Sequence, residues 1–232
     1  MKAGKSRSPY ERRSQTTANI MRERSLRENT TSRILSTATR LFANQGYDGT
    51  STKNICEEAG VNIAAIHYHF GSKENLYHKI IDQFATERLD FARKTLQPPQ
   101  NIDDFKVRLE IFLRQTLETM IRQKDIIRLI QRDVEMSNSK SKKMYFNTLL
   151  KHAEKLIEFF DLAKNKGIMA ADVHPYSAAA FLMSNIIHQT RNDRIVKEFI
   201  GHSLLDETYR STWIQQTLRI FIDGIIVKQP AK

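Results

Sequence analysis

The sequence contains a single cysteine, Cys56, among 232 residues. One thiol cannot form an internal disulfide, so a disulfide-stabilised secreted domain is excluded and a reducing cytoplasm is expected. Every apolar run is shorter than the roughly 18 to 20 residues that a membrane span requires. The basic N-terminus is not followed by an apolar segment, so neither a secretory signal nor a membrane span is expected.

The sequence also lacks any sizeable stretch in which apolar and polar residues alternate with a period of two. Apolar residues instead recur at helical spacing along most of the chain, which predicts an all-α protein of about nine or ten helices. We expect a flexible basic arm over residues 1–26, because this segment is polar and has no sustained period. A unit of short helices over 27–75 follows, with a fourth helix, 72–96, linking it to a larger helical domain over 97–228.

The formal net charge is +11, and it is unevenly distributed. Residues 1–33 carry nine Lys or Arg against three acids, whereas residues 34–96 carry seven against seven. A basic excess is typical of nucleic-acid or membrane-surface binding. The charge distribution therefore makes the N-terminal arm the candidate for such binding. The arm either reaches a DNA groove or serves only as a solubilising tail.

Residues 50–76 contain helix-start and helix-end signals at the spacing of a helix-turn-helix. Ser51 or Thr52 is a suitable N-cap for a short helix that Gly60 ends, and Asn62 is a suitable cap for a third helix to about His69. Ser72 then caps the fourth helix. This spacing allows one helix to enter the major groove while its neighbour braces across the backbone.

The run RILSTATRLFANQGYDGTSTKNICEEAGVNIAAIHYHFGSKENLY, residues 33–77, resembles the N-terminal domain of the TetR family of bacterial regulators. The family pattern has a Tyr two residues before the His of an HF pair. His67 stands there in this sequence, and Tyr68 follows it, so either of the two could make the phosphate contact that the family gives to the Tyr. Lys73 matches the family's phosphate-binding lysine.

We therefore expect a set of DNA-contacting residues on helices two to four. The set is Thr52, Lys53, Asn62, Ile63, Ala64, Ala65, His67, Tyr68 and Lys73. Ile63 could instead belong partly to the core, His67 could pack or cap, and Lys53 could be a solvated surface lysine. Ile55, Val61, Ile66 and Phe70 are assigned to the core.

Two helices near the C-terminus are apolar on more than one side and must be covered by more than one neighbour. The resemblance implies that they pair with a second copy as a dimer interface. The expected interface residues are Tyr176, Met183, Ile187, Trp213, Leu218, Phe221, Ile222 and Ile225.

The resemblance also implies an apolar or amphipathic small-molecule effector in the C-terminal domain. The candidate pocket residues are Phe112, Met120, Tyr145, Phe146, His152, Phe160, Phe181, Met183, Asn185 and His188. Such aromatic residues also occur as plain core. The segment IIRLIQRDVE, residues 126–135, is similar to the YbiH-like subgroup of the family.

The expected function is that of a homodimeric DNA-binding regulator, with a repressor favoured, which the effector releases from a palindromic operator. An architectural or effector-independent DNA-binding protein is the alternative. No phosphate-binding glycine loop or nucleophile motif is present, so an enzyme is not expected. His152, His174, His188 and His202 show no close-spaced ligand pair, and neither a metal nor a cofactor is predicted. The expected location is the bacterial cytoplasm, in association with the nucleoid.

Overall fold

A computed structural model describes the backbone of residues 9–135 and 140–226, and the side chains of residues 27–132 and 151–226. Nine helices and no strand occur over the described residues, which confirms the all-α prediction. Their bounds are α1 Pro9–Gly49, α2 Thr52–Ala59, α3 Ala64–Phe70, α4 Lys73–Thr95, α5 Ile102–Arg122, α6 Lys124–Glu135, α7 Lys140–Asn165, α8 Pro175–Ile200 and α9 Glu207–Ile225. No described helix is long and apolar enough to cross a membrane.

The chain divides into two compact units, Met1–Ile80 and Ile81–Lys232. The division falls inside α4, whereas the sequence predicts the start of the larger helical domain at residue 97. Pro98 and Pro99 end the segment after α4, and the following helix begins at Ile102. In this chain the boundary between the two units therefore does not coincide with the gap between α4 and α5.

Helix α1 begins at Pro9, about twenty residues before the start that the apolar period indicated. Proline is favoured at a first helical position, and no glycine or proline follows until Gly46. A polar segment joined to an existing helix needs no new nucleus, so ordinary helix formers suffice to extend it. Residues 9–26 therefore belong to α1, whereas the sequence predicts a flexible basic arm there, and residues 1–8 lie outside the described part of the chain.

The predicted helix ends are confirmed by the cap geometry. The Ser51 side chain accepts a hydrogen bond from the Asn54 N–H at 3.1 Å, and Asn62 Oδ1 accepts one from Ala64 at 2.8 Å. Ser72 Oγ accepts from the Asn75 N–H at 3.0 Å, and Asn101 caps α5 in the same way. These bonds satisfy N–H groups that a helix start leaves without intrahelical partners.

The core of the first unit joins its four helices through side chains that are at most 5% exposed. They are Ile34, Ala38, Leu41 and Phe42 of α1, Ile55, Cys56 and Ala59 of α2, Ile66 of α3, and Leu76, Tyr77 and Ile80 of α4. Burial raises the pKa of the Cys56 thiol, so this thiol is protonated and acts as a small core residue. Ile55 and Ile66 are buried as predicted, whereas Val61 and Phe70 are half-buried.

The second unit is built around a cluster of aromatic side chains. Phe105 stacks on Phe159 with ring centroids 5.2 Å apart, and Phe160 lies 5.7 Å from Phe221 of α9. Burial of several phenylalanine rings supplies most of the apolar area that holds such a bundle together. Ile226, which follows α9, forms an isolated antiparallel β-bridge with Met169.

Candidate nucleic-acid interface

The turn between α2 and α3 is closed by Gly60, whose φ of 63° and ψ of 42° lie in the left-handed region. Its N–H donates to the Glu57 carbonyl at 3.2 Å. Arg33 of α1 stabilises this turn, because its Nη2 donates hydrogen bonds to the Ala59 and Gly60 carbonyls, the latter at 3.1 Å. The direction in which α3 leaves the turn is therefore fixed by one glycine and one distant arginine.

Gly60→Ala is expected to destabilise the first unit by about 2 kcal/mol, because the residue would have to adopt a positive φ. A Cβ at this position would also lie 2.7 Å from Arg33 Nη2 and would push the guanidinium off the turn. Gly49→Ala is the matched control, since its Cβ would meet only Gln45 Cβ at 3.6 Å. Calorimetric unfolding of the three proteins checks the prediction, and equal midpoints for both variants would contradict it.

One side of α3 packs against the core and the other is exposed. Ile66 is 1% exposed on the packed side. The reading face, as we call the other side, consists of Asn62, Ile63, Ala64, His67 and Tyr68, all exposed. Ile63 at 55% exposure is therefore a surface residue and not a core residue.

The remaining predicted contacts flank this face in different ways. Ala65 is half-buried beneath it. Thr52 is half-buried at the first position of α2, and Lys53 is exposed with its Nζ 3.9 Å from Glu57. A pair this long and exposed is weak, so Lys53 is available to a phosphate.

Lys73 has a structural role that the sequence did not reveal. Its Nζ donates to the Tyr47 carbonyl at 3.0 Å and to the Thr50 carbonyl at 2.9 Å, and it lies 4.2 Å from the Tyr47 ring centroid. The ammonium thereby satisfies carbonyls at the end of α1, leaving one of its three donors for DNA. The Tyr47 ring in turn contacts Tyr77 and Phe42 in the core.

Contacts from α1 also fix the end of α3, and sequence reasoning missed them. The Arg27 guanidinium lies 5.7 Å from the Tyr68 ring centroid, and Thr31 Oγ1 lies 3.3 Å from His69 Nδ1. These partners are about forty residues apart in sequence, and no local pattern predicts such a pairing. Tyr68 is thus held on one side, whereas no described side chain bonds to the His67 imidazole.

The predicted effector residues do not form one lining. Phe112 and Phe160 are fully buried in the core, Met120, His152 and Met183 are half-buried, and Phe181, Asn185 and His188 are exposed. The side chains of Tyr145 and Phe146 lie outside the described residues. Asn185 and His188 lie away from the buried side of α8, which carries Ala178, Ala179, Leu182 and Ile186. The exposed Phe181 ring stacks on the core residue Phe221, with centroids 6.1 Å apart.

One subset of the predicted effector residues does come together. The His152 ring stacks on Phe112 with centroids 5.5 Å apart. Burial, and then the nearby charge of Arg88, lower the pKa of His152 to about 4, so its imidazole is neutral at pH 7. In the described residues no group of three or more potential ligands is arranged to hold a metal ion.

The predicted dimer residues separate into two groups. Tyr176 and Ile187 are exposed on α8, while Met183 and Trp213 are half-buried. Leu218, Phe221, Ile222 and Ile225 are between 4% and 8% exposed in the single chain, so they belong to its own core and the interface assignment is corrected for them. Ile220, which is 72% exposed, occupies the outer side of α9.

Comparison with known proteins agrees with this architecture. Residues 34–80 match the family model of bacterial regulatory proteins of the tetR family. The HTH-type transcriptional repressor AcnR of Corynebacterium glutamicum is 31% identical over 105 residues, which cover 41% of this chain and 56% of AcnR. The biofilm operon negative regulator IcaR of Staphylococcus epidermidis is 30% identical over 71 residues, 31% of this chain and 38% of IcaR.

The chain thus spans about half the length of these curated relatives or less. Among solved structures, the ketosteroid transcriptional regulator KstR2 of Mycobacterium tuberculosis has a similar fold. Its TM-score is 0.66 at 16% identity, over 85% of this chain and 95% of that one. This likeness is one of fold only.

Residues 34–80, which contain the helix-turn-helix, match the tetR family model, and AcnR and IcaR are similar to parts of this chain only. The N-terminal part of the chain is therefore similar to the bacterial regulatory proteins of the tetR family.

Proposed function

We propose that the protein is a sequence-specific DNA-binding repressor whose α3 reads base edges in the major groove. The observation that carries the proposal is the reading face, which is exposed while the opposite side of α3 is locked into the core. Ala64 lies beside His67 on this face, so a small side chain permits close approach to the bases and a polar one supplies a hydrogen bond. AcnR is a transcriptional repressor and IcaR a negative transcriptional regulator, which favours repression here.

The charge distribution determines which interactions give affinity. Residues 27–80 carry six Lys or Arg against five acids, so the motif itself is nearly neutral. Residues 9–26, the start of α1, carry four against two. Phosphate attraction therefore comes largely from the extended α1, and base contacts on α3 supply specificity. This division predicts a shallow salt dependence for a chain that lacks residues 1–26.

The test of sequence-specific binding is in vitro selection. The full chain is incubated with a library of random duplexes at about 150 mM salt, where non-specific attraction is screened. Enrichment of one short motif, bound at least about a thousandfold more tightly than a scrambled duplex, is expected. Equal affinity for selected and scrambled duplexes would contradict the proposal and favour the architectural alternative.

Binding to a palindrome requires two copies of the chain, and α8 carries a face suited to this role. Tyr176, Phe181, Ile187, Ile195 and Phe199 are between 41% and 82% exposed. At about 100° per residue they lie within an arc of about 140°, opposite the buried side of α8. Large exposed apolar faces are unusual on monomers. We infer that this α8 apolar face pairs with the same face of a second copy, together with Trp213 and Ile220 of α9.

Ile187→Glu is expected to weaken the dimer by at least about a hundredfold, because an unpaired carboxylate would be buried at the centre of the contact. Val107→Glu is the matched control, since Val107 is a similarly exposed aliphatic residue at 55% but lies on α5. Light scattering at micromolar concentration should give twice the 27.0 kDa chain mass for the wild type and the control. A single-chain mass for the wild type would contradict a dimer.

The proposed regulation is release from a palindromic operator by an apolar or amphipathic effector that binds within the second unit. Effector and operator then weaken each other's binding by the same factor, since linkage is reciprocal. Such a regulator acts on the chromosome in the bacterial cytoplasm. An effector-independent protein would bind the selected duplex equally well in the presence of every small molecule.

A further inference from the structure

Arg88 of α4 is enclosed in the second unit with its hydrogen-bonding capacity only partly used. Nη1 donates to Thr119 Oγ1 of α5, and the guanidinium carbon lies 6.0 Å from the Phe84 ring centroid. Nε is buried and has no hydrogen-bond partner. An orphaned buried donor on a charged group is rare in folded proteins, because desolvation of the charge is not compensated.

Among the described side chains, none forms an ion pair with this guanidinium. Its only acidic influence is its neighbour Glu87. Burial consequently lowers the pKa of Arg88 from its usual value, although a guanidinium stays charged at neutral pH. The second unit therefore holds a positive charge that an anion would neutralise.

The surroundings of Arg88 are apolar on one side and polar on the other. The His152 ring of α7 stacks on Phe112 of α5 with centroids 5.5 Å apart, and burial, then the Arg88 charge, lower the pKa of His152. The Phe91 ring, one helical turn after Arg88 on α4, stacks on the same Phe112 ring, with centroids 6.4 Å apart. A neutral imidazole offers one donor and one acceptor, which suits a carboxylate bound beside an arginine.

We propose that Arg88 and His152 bind the carboxylate of an amphipathic anion whose apolar body lies against Phe91. Arg88, Phe91 and His152 are each half-buried, so the cluster reaches the surface of the unit. The inference rests on the proposed regulation by an effector and specifies the chemical class of that effector.

A carboxylate fits these groups better than other charged heads. A cation would be repelled by Arg88, and a neutral polar head would leave the buried charge uncompensated. The planar fork formed by Nε and one Nη matches the two oxygens of a carboxylate. Phosphate would bring a second negative charge, whereas the cluster contains one cation and a neutral imidazole.

The test uses calorimetric titration of the full chain, without DNA, with decanoate, decanol and decylamine as probes of equal chain length. Decanoate is expected to bind at one molecule per chain, at least about tenfold more tightly than decanol, with decylamine weakest. Arg88→Met should weaken decanoate binding by roughly 10- to 100-fold and leave decanol unchanged. Arg93→Met on the same helix, an exposed arginine 3.8 Å from Asp90, is the matched control.

Arg88→Lys keeps the charge but removes the Nε donor and is used if the methionine variant does not fold. It should weaken decanoate binding by roughly tenfold. Equal binding of decanoate and decanol, binding of none of the three probes, or unchanged decanoate binding in the Arg88 variants overturns the assignment.

Decanoate is then added to the complex of the wild-type chain with the selected duplex. Release of DNA by decanoate, but not in Arg88→Met, supports both the site and its regulatory role. Decanoate binding without release of DNA would support the carboxylate site but would contradict its role as the effector site. Specific DNA binding without decanoate binding leaves the repressor proposal standing and overturns this inference alone.

Discussion

Ala64→Glu is expected to reduce affinity for the selected duplex by at least about a hundredfold. Ala64 is exposed at the start of α3, where a longer side chain would meet the base edges and a carboxylate would lie among phosphates. Opposed like charges at an interface cost several kcal/mol, and the extra volume would also hold α3 out of the groove. The fold should be unaffected, because a negative charge in the first turn of a helix is favourable.

The control for this variant is Ala171→Glu, which adds the same charge at an exposed position in the turn before α8. Gel-shift titration of the wild type and both variants, with circular dichroism to confirm helicity, distinguishes the outcomes. The reading face would be wrongly assigned if Ala64→Glu bound the selected duplex as tightly as Ala171→Glu. Equal weakening in both variants would point to net charge as the cause.

Lys73→Met is expected to destabilise the first unit by about 3 kcal/mol. Two hydrogen bonds from a charged donor to carbonyls are lost, each worth about 1.5 to 3 kcal/mol, and the contact with the Tyr47 ring is lost as well. The variant should also bind selected and scrambled duplexes more weakly by similar factors, because a lysine contact to phosphate carries no sequence information.

Lys53→Met is the comparison, since Lys53 pairs only with Glu57 at 3.9 Å and both side chains are exposed. Its expected effect on stability is below about 0.5 kcal/mol. Urea unfolding is followed by far-ultraviolet circular dichroism, because Trp213 lies in the second unit and its fluorescence would not report on the first. Equal stabilities of the two variants would contradict the structural role assigned to Lys73.

Features governed by neighbouring residues were predictable from the sequence. Ser51, Asn62 and Ser72 cap their helices as expected, because a cap is a contact over two or three residues. Gly60 was identifiable for the same reason, since a left-handed residue at a helix end favours glycine. The order and most bounds of the helices follow from such local rules.

Features governed by distant contacts were not predictable. Arg33 reaches the carbonyl of Gly60, and Lys73 reaches that of Tyr47, across 27 and 26 positions. In the sequence Arg33 looks like an ordinary surface cation, and Lys73 is predicted to bind phosphate and not backbone carbonyls. Their partners are backbone carbonyls, which leave no trace in residue identity.

The division of α9 into core and surface sides failed for a related reason. This helix is apolar on several sides, so its periodicity does not indicate which side faces its own core. Leu218 and Phe221 face inward and Ile220 faces outward, although all three are large apolar residues. Only packing against the other helices of the unit makes that choice.

The early start of α1 shows the limit of compositional reasoning. Residues 9–26 are too polar to form a core, which argued for disorder. A segment can nevertheless be helical when it continues a helix already held by Ile34 and Ala38. Its basic residues thereby join the element that also contacts α3 through Arg27 and Thr31.

The central claim, that two copies of α3 read a palindrome, is tested most directly by hydroxyl-radical footprinting. The selected duplex is placed inside a long fragment of unrelated sequence and titrated with the full chain. The proposed repressor should protect two short segments related by two-fold symmetry and about one helical turn apart, with protection lost in Ala64→Glu. Protection that spreads along the fragment without a symmetric centre, or that persists in Ala64→Glu, would contradict the account.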